Sequence, residues 1–161
     1  MTKLRIETAG PGHVALILAF IRDLAVYERL SNSVVVTEEL LRESLFGARP
    51  VAEALLAWDD DTPAGFAVFF HNYSTFLGRP GIYLEDVFVK PEFRGKGIGR
   101  ALLAYIARLA IERGCQRLEW SVLNWNEPAI RFYKSLGAEP KDEWTVYGLG
   151  GDALNKLANE T

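Results

Sequence analysis

The sequence is poor in the residues that build disulfides and metal sites. Cys115 is the only cysteine, so the 161-residue chain forms no internal disulfide and has no cysteine-based metal site. Its two histidines, His13 and His71, are far apart and match no zinc motif. We therefore expect a protein that works without a bound metal.

Long apolar runs and a strong charge of one sign are also missing. No run approaches the roughly 18 apolar residues that a membrane span requires, and residues 1–7 lack the apolar core of a signal peptide. The net charge of −3 argues against nonspecific nucleic-acid binding. These absences predict a cytoplasmic protein that has neither a membrane nor a nucleic acid as its partner.

The chain does contain alternating strand and helix patterns, which predict one mixed α/β domain over residues 1–161. The predicted order is β-α-α-β-β-β-α-β-α-β, with an antiparallel first part and a βαβ-like second half. Residues 71–81 are predicted to form an aromatic loop. Residues 144–149 are predicted to form a last strand, and the polar tail after it is compatible with a helix.

The most distinctive segment is the run Arg94-Gly95-Lys96-Gly97-Ile98-Gly99, between an apolar strand pattern at 82–89 and a periodic helix at 98–112. A glycine-rich turn that enters a helix presents backbone N–H groups and partial positive charge to a phosphate. Glycine also lets a ligand approach the backbone closely. By itself the run also fits a helix entry without a ligand. A dinucleotide-binding turn is disfavoured, because Gly-x-Gly-x-x-Gly is not matched.

With its flanking residues, this turn resembles the acetyl-coenzyme A signature of the GNAT superfamily of N-acetyltransferases. The pattern Arg/Gln-x-x-Gly-x-Gly/Ala is matched by Arg94, Gly97 and Gly99. Residues 126–138 resemble the superfamily's second coenzyme-contacting segment, and the resemblance covers nearly the whole chain. Within the superfamily, the sequence is most similar to the diamine (spermidine/spermine) and thialysine acetyltransferases. The resemblance implies a mostly antiparallel sheet with a parallel pair at the acetyl-CoA cleft, helices on both faces, and a homodimer.

The resemblance also implies a coenzyme site. Strand backbone around residues 87–89 would pair with the pantetheine amides and supply the oxyanion donor, and N–H groups of residues 95–100 would hold the pyrophosphate. The implied coenzyme-binding residues are Val87, Phe88, Val89, Arg94, Gly95, Lys96, Gly97, Ile98, Gly99, Arg100, Asn126, Ala129 and Tyr133. Three of these have a simpler alternative: Arg94 as a structural side chain, Lys96 as a solvated charge, and Asn126 as a helix cap.

Two residues are candidates for catalysis. An alkyl amine with a pKa of about 10.4 is neutral in only about one molecule in 2,500 at pH 7, so a base is useful. Glu85 matches the family position that faces the substrate amine, although it and Asp86 also fit salt-bridge groups. Neighbours on a strand point to opposite faces, so only one of this pair is expected in the cleft. Tyr133 matches the tyrosine that protonates or hydrogen-bonds the leaving thiolate, but a packed core aromatic is the alternative.

The acceptor is read from a third set of residues. The resemblance implies that Tyr27, Glu28, Glu85 and Glu143 bind substrate, whereas a solvated helix end is the alternative for Tyr27 and Glu28. The expected reaction is direct attack, in a ternary complex, by a primary amine of a polyamine, diamine or lysine analogue. Residues 74–80 resemble thialysine-type relatives as much as polyamine-type ones. Another acceptor (an amino acid, an antibiotic or a protein amine) and a noncatalytic acyl-CoA sensor stay open at this point.

Overall fold

The computed structural model describes residues 3–160, which form five strands and five α-helices. The strands are β1 (Leu4–Thr8), β2 (Glu53–Asp59), β3 (Thr62–Ser74), β4 (Arg79–Val89) and β5 (Leu118–Trp120). The helices are α1 (Val14–Tyr27), α2 (Glu38–Phe46), α3 (Ile98–Glu112), α4 (Glu127–Ser135) and α5 (Gly151–Ala158). None of these helices has the length and apolar character required to cross a membrane.

The strands form one sheet in which spatial order follows chain order, β1-β2-β3-β4-β5. The first four strands pair antiparallel, whereas β4 and β5 pair parallel, with Ile82 opposite Leu118 and Leu84 opposite Trp120. The connection between the parallel strands contains the glycine-rich turn and α3. The predicted mixed α/β fold, mostly antiparallel with one parallel pair, is therefore confirmed.

Helices cover both faces of the sheet because β2 and β3 are apolar on both sides. On one face, Ala54 and Leu56 belong to the same buried cluster as α1 and α2, and the Phe20 ring on α1 stacks on Phe66 at 5.1 Å. Leu55 and Ala57 alternate with these residues along β2, so they point to the opposite face, and they are equally buried. Helix α3 contacts β1 to β4. The burial of these apolar side chains on both faces of the sheet is the main source of the stability of the fold.

Two predicted elements differ in the structure. The residues predicted as a loop, 71–81, mostly continue β3 and β4, because the register runs from His71 opposite Ile82 to Ser74 opposite Arg79 and leaves only 75–78 for the turn. The strand predicted at 144–149 is wrong: these residues lie outside the helices and strands. Their apolar pattern suits a strand, but pairing requires a neighbouring strand edge, which the local sequence does not specify.

The chain divides into two compact units, one ending at Leu123 and the other beginning at Asn124. The first unit holds the sheet with α1, α2 and α3. The second holds α4, the irregular residues 141–150, and α5. The expectation that residues 1–161 form a single domain stays a prediction.

Candidate active site

The glycine-rich turn exposes a continuous run of backbone donors. Gly95 and Gly97 adopt left-handed conformations, with φ of 79° and 82°, and a Cβ at either position would meet no heavy atom within 4 Å. The first bond at the start of α3 runs from the Ala101 N–H to the Gly97 carbonyl. Within the described chain, the N–H groups of residues 95–100 donate to no acceptor. Such a run at a helix N-terminus fits the pyrophosphate of a coenzyme.

Strand β4 contains a β-bulge directly before its last residues. Phe69 of β3 pairs with Leu84, and the preceding residue Val68 pairs with Asp86, so Glu85 is an extra residue on β4. A bulge interrupts the regular alternation of side chains and reorients the backbone beyond it.

This bulge reverses which backbone groups face the open edge of β4. Before it, Ile82 donates its N–H toward β5, whereas after it Lys90 donates its N–H to Ala64 of β3. Because N–H directions alternate along a strand, Val87 and Val89 turn theirs away from β3. Strand β5 ends opposite Leu84, so no described strand covers this edge. An extended ligand with amide groups, such as pantetheine, fits this edge as an added strand.

The Arg94 side chain lies against α1 and β4. Its Nε donates to the Val89 carbonyl at 3.0 Å, and its guanidinium carbon lies 4.9 Å from the ring centroid of Tyr27 and 5.4 Å from that of Phe88. These contacts support the structural alternative for the side chain, and the prediction that Arg94 binds coenzyme stays a prediction. The Lys96 ammonium likewise has a partner, Asp59, at 3.6 Å.

Three carboxylates meet beside the bulge. Glu28 caps the C-terminal end of α1, and burial followed by the charge of Glu85 raises its pKa. Burial, then Glu85, then Glu28 raise the pKa of Asp86 to about 6. Within the described chain, no basic side chain opposes either shift. The cluster therefore presents uncompensated negative charge, which attracts a cation.

Asp86 is the residue that sequence reasoning undervalued. The expectation that only one of Glu85 and Asp86 faces the cleft assumed strict alternation, and the bulge interrupts that alternation at this pair. Both acids interact with Glu28. Two adjacent acids in an apolar strand did indicate that this part of β4 is a candidate site. The bulge itself depends on how β3 pairs with β4, which the local sequence does not show.

The second unit holds the remaining predicted residues. The Asn126 side chain accepts from the Ala129 N–H at 3.4 Å, so its role as the cap of α4 is confirmed. Tyr133 is half-buried on α4, with its ring centroid 5.7 Å from that of Phe132. Glu143 is exposed among the irregular residues. The catalytic role of Tyr133 and the substrate-binding role of Glu143 stay predictions.

Known proteins resemble this chain in sequence and in fold. Residues 20–138 match the acetyltransferase (GNAT) family. The chain is 39% identical to the thialysine N-epsilon-acetyltransferase of Bos taurus, over 99% of this chain and 100% of that protein. It is 34% identical to the L-ornithine N5-acetyltransferase of Arabidopsis thaliana, over 95% and 87%. An integron cassette protein from the mobile metagenome of V. cholerae superposes with a TM-score of 0.81 at 31% identity, over 98% of each chain.

Proposed function

Because the chain belongs to the GNAT family and is an N-acetyltransferase, we propose that its acceptor is a small molecule with a protonated primary amine. The observation that carries this proposal is the cluster of Glu28, Glu85 and Asp86. After burial, repulsion from Glu85 helps raise the pKa of both Glu28 and Asp86, and no basic side chain of the described residues opposes it. An ammonium group would relieve that repulsion on binding. Tyr27, the last residue of α1, is also proposed to contact the acceptor; the Arg94 guanidinium carbon already lies 4.9 Å from its ring centroid.

The relatives narrow the class of acceptor. Proteins named for thialysine and for L-ornithine match this chain along nearly its whole length. Both names denote amino acids with a side-chain amine. We therefore place a lysine analogue or ornithine first among acceptors, followed by diamines and polyamines.

The coenzyme site would use backbone groups. When bound, acetyl-CoA supplies the thioester that the neutral amine attacks in a ternary complex. The N–H groups of residues 95–100 would hold its pyrophosphate, and the open edge at Val87 and Val89 would pair with the pantetheine amides. An N–H at this edge would also stabilise the negative charge that develops on the acyl oxygen.

We assign proton acceptance to the Glu85–Asp86 pair, as two coupled groups. A pKa of about 6 makes Asp86 a stronger base than an ordinary carboxylate while leaving it ionised at pH 7–8. Glu85 is exposed on the bulge, so it is suited both to accept a proton and to anchor the ammonium group. Glu28 completes the acceptor side proposed from the structure, and Glu143 is proposed as an acceptor-binding residue on the family resemblance alone.

Tyr133 is proposed to donate a hydrogen bond to the leaving thiolate. Full transfer from a phenol of pKa about 10 to a thiolate of pKa about 8.5 is uphill by roughly 2 kcal/mol, so the hydrogen bond itself carries much of the effect. We expect Tyr133→Phe to lower kcat and to leave the Kd of CoA unchanged. Tyr147→Phe, at an exposed position of the same unit, is the matched control. An unchanged kcat in Tyr133→Phe would remove this residue from the mechanism.

The acceptor is tested by release of the CoA thiol with a panel of amines at pH 7.5. We expect thialysine or ornithine to give the highest kcat/KM, with diamines and polyamines lower. An aminoglycoside as the best acceptor would contradict the preference for a lysine analogue or ornithine, and a peptide amine would contradict the small-molecule proposal itself. Proton-inventory and product-inhibition patterns with the best acceptor would then test direct attack in a ternary complex.

Three further expectations are proposals. A homodimer is proposed from the family resemblance. A cytoplasmic location, and the absence of a nucleic-acid, membrane or metal partner, are proposed from the composition of the sequence. Two exposed apolar side chains in the second unit, Trp144 and Val146, support a contact with a second copy of the chain. Light scattering at several protein concentrations tests the homodimer.

A further inference from the structure

One buried carboxylate takes no part in the reaction proposed above. Asp59, the last residue of β2, is only 7% exposed. Its Oδ1 accepts no hydrogen bond within the described chain, and its Oδ2 lies 3.6 Å from the Nζ of Lys96. Burying a carboxylate with an unsatisfied oxygen costs stability, and a single ion pair seldom offsets that cost. Stability alone therefore does not explain this aspartate.

The partner of Asp59 lies inside the donor run of residues 95–100. Lys96 stands between Gly95 and Gly97, the two residues in left-handed conformations. Its Nζ also lies 5.3 Å from the ring centroid of Phe93. The lysine side chain is thus held by two residues outside the run. Backbone flanked by glycines loses more conformational entropy on ordering than other backbone, so this is where a tether has the most effect.

We propose that Asp59 is a positioning residue for the coenzyme phosphates, acting through Lys96. By holding the Lys96 side chain, it orders the glycine-flanked turn before the ligand arrives, with the N–H groups directed at the phosphate position. A site that is ordered in advance loses less entropy on binding. Asp59 is itself an anion, so direct contact with phosphate is unfavourable, and its contribution must pass through the cation. This inference rests on the proposed coenzyme role of residues 95–100.

The test is a double-mutant cycle on the Kd of CoA, measured by calorimetry without an acceptor. Asp59→Asn removes the charge and preserves the shape, and Lys96→Met removes the ammonium and keeps the stem. Each single variant should raise Kd about two- to tenfold, the effect of releasing one long side chain. Asp59→Asn should add nothing to the Kd in the Lys96→Met background, and the kcat of the Asp59→Asn single variant at saturating acetyl-CoA should stay within about twofold of the wild-type value. Asp61→Asn, the same charge change in the adjacent exposed turn, is the control.

Amide hydrogen exchange in the ligand-free protein gives a second readout that does not require Asp59→Asn to fold. We expect faster exchange at residues 95–100 in Lys96→Met than in the wild type. Unchanged exchange there, an unchanged or lower Kd in folded Asp59→Asn, or effects that add across the cycle would each overturn the proposal while leaving the proposed function intact. A wild-type protein that does not bind CoA would overturn the proposed function, and this role with it.

Discussion

The proposed coenzyme region and the proposed acceptor region would bind opposite charges with different parts of the chain. The coenzyme region, residues 95–100 with Val87 and Val89, offers backbone N–H groups to an anion. The acceptor region, Glu28 with Glu85 and Asp86, offers side-chain charge to a cation. The first is built by local conformation, two left-handed glycines and a helix start. The second exists only because the end of α1 packs beside a bulge in β4.

This difference has an energetic consequence. Backbone donors carry no net charge, so the coenzyme region assembles at little electrostatic cost. Glu28 and Asp86 lose hydration on burial and are repelled by the exposed Glu85, as their raised pKa values indicate. The acceptor region is therefore, like the buried Asp59, a part of the molecule in which function opposes stability.

The largest expected effect comes from removing the acceptor-side charge. In Glu85→Gln/Asp86→Asn we expect kcat/KM for the amine to fall by about 10²-fold or more, because proton acceptance and ammonium attraction are both lost. The Kd of CoA should stay within about twofold. Asp60→Asn/Asp61→Asn, an adjacent acidic pair in the β2–β3 turn, is the control. A comparable loss of CoA binding would show that the two regions are not separable.

The next effect is a gain of stability. Asp86 has its pKa raised from 3.8 to about 6, so the protonated form is favoured by folding. Stability is lost as the pH rises from 3.8 to about 6, and the full cost of burying the ionised carboxylate applies above pH 6. Asp86→Asn removes it and should raise the free energy of unfolding by about 2–3 kcal/mol at pH 8, but only by about 1 kcal/mol at pH 4.5. Denaturant titrations at both pH values check this, and an equal change at both would assign it to packing.

The two regions also differ in how far sequence could predict them. The donor run could be predicted, because glycines before a periodic helix specify their own conformation, and Asn126 likewise capped its helix as expected. The acid cluster could be predicted only in part. Glu85 and Asp86 were noticeable, but the bulge arises from pairing with β3. The strand predicted at residues 144–149 was wrong for the same reason, since a strand needs a partner that its own sequence does not specify.

A smaller effect is expected from the turn itself. Gly97→Val places a β-branched residue at a φ of 82°, where nothing crowds the Cβ but the backbone is strained. We expect the turn to shift and the Kd of CoA to rise about tenfold. Gly148→Val, at an exposed irregular position with an open Cβ, should leave Kd unchanged. The pH dependence of kcat/KM for the amine should be the same as in the wild type in both variants, because neither substitution touches the acid cluster.

The smallest effect tests whether the two regions are mechanically joined. Arg94 is bound to the Val89 carbonyl on the coenzyme edge and lies over the Tyr27 ring on the acceptor side. Arg94→Lys keeps the charge but loses the planar stacking and the fixed Nε donor. Loss of about 0.5–1 kcal/mol of cation–π energy predicts a two- to fivefold rise in the KM of both acetyl-CoA and the amine. Arg108→Lys, which stacks on Tyr105 within α3, should change neither. A rise in only one KM would place Arg94 in that region alone and leave the other supported by its own contacts.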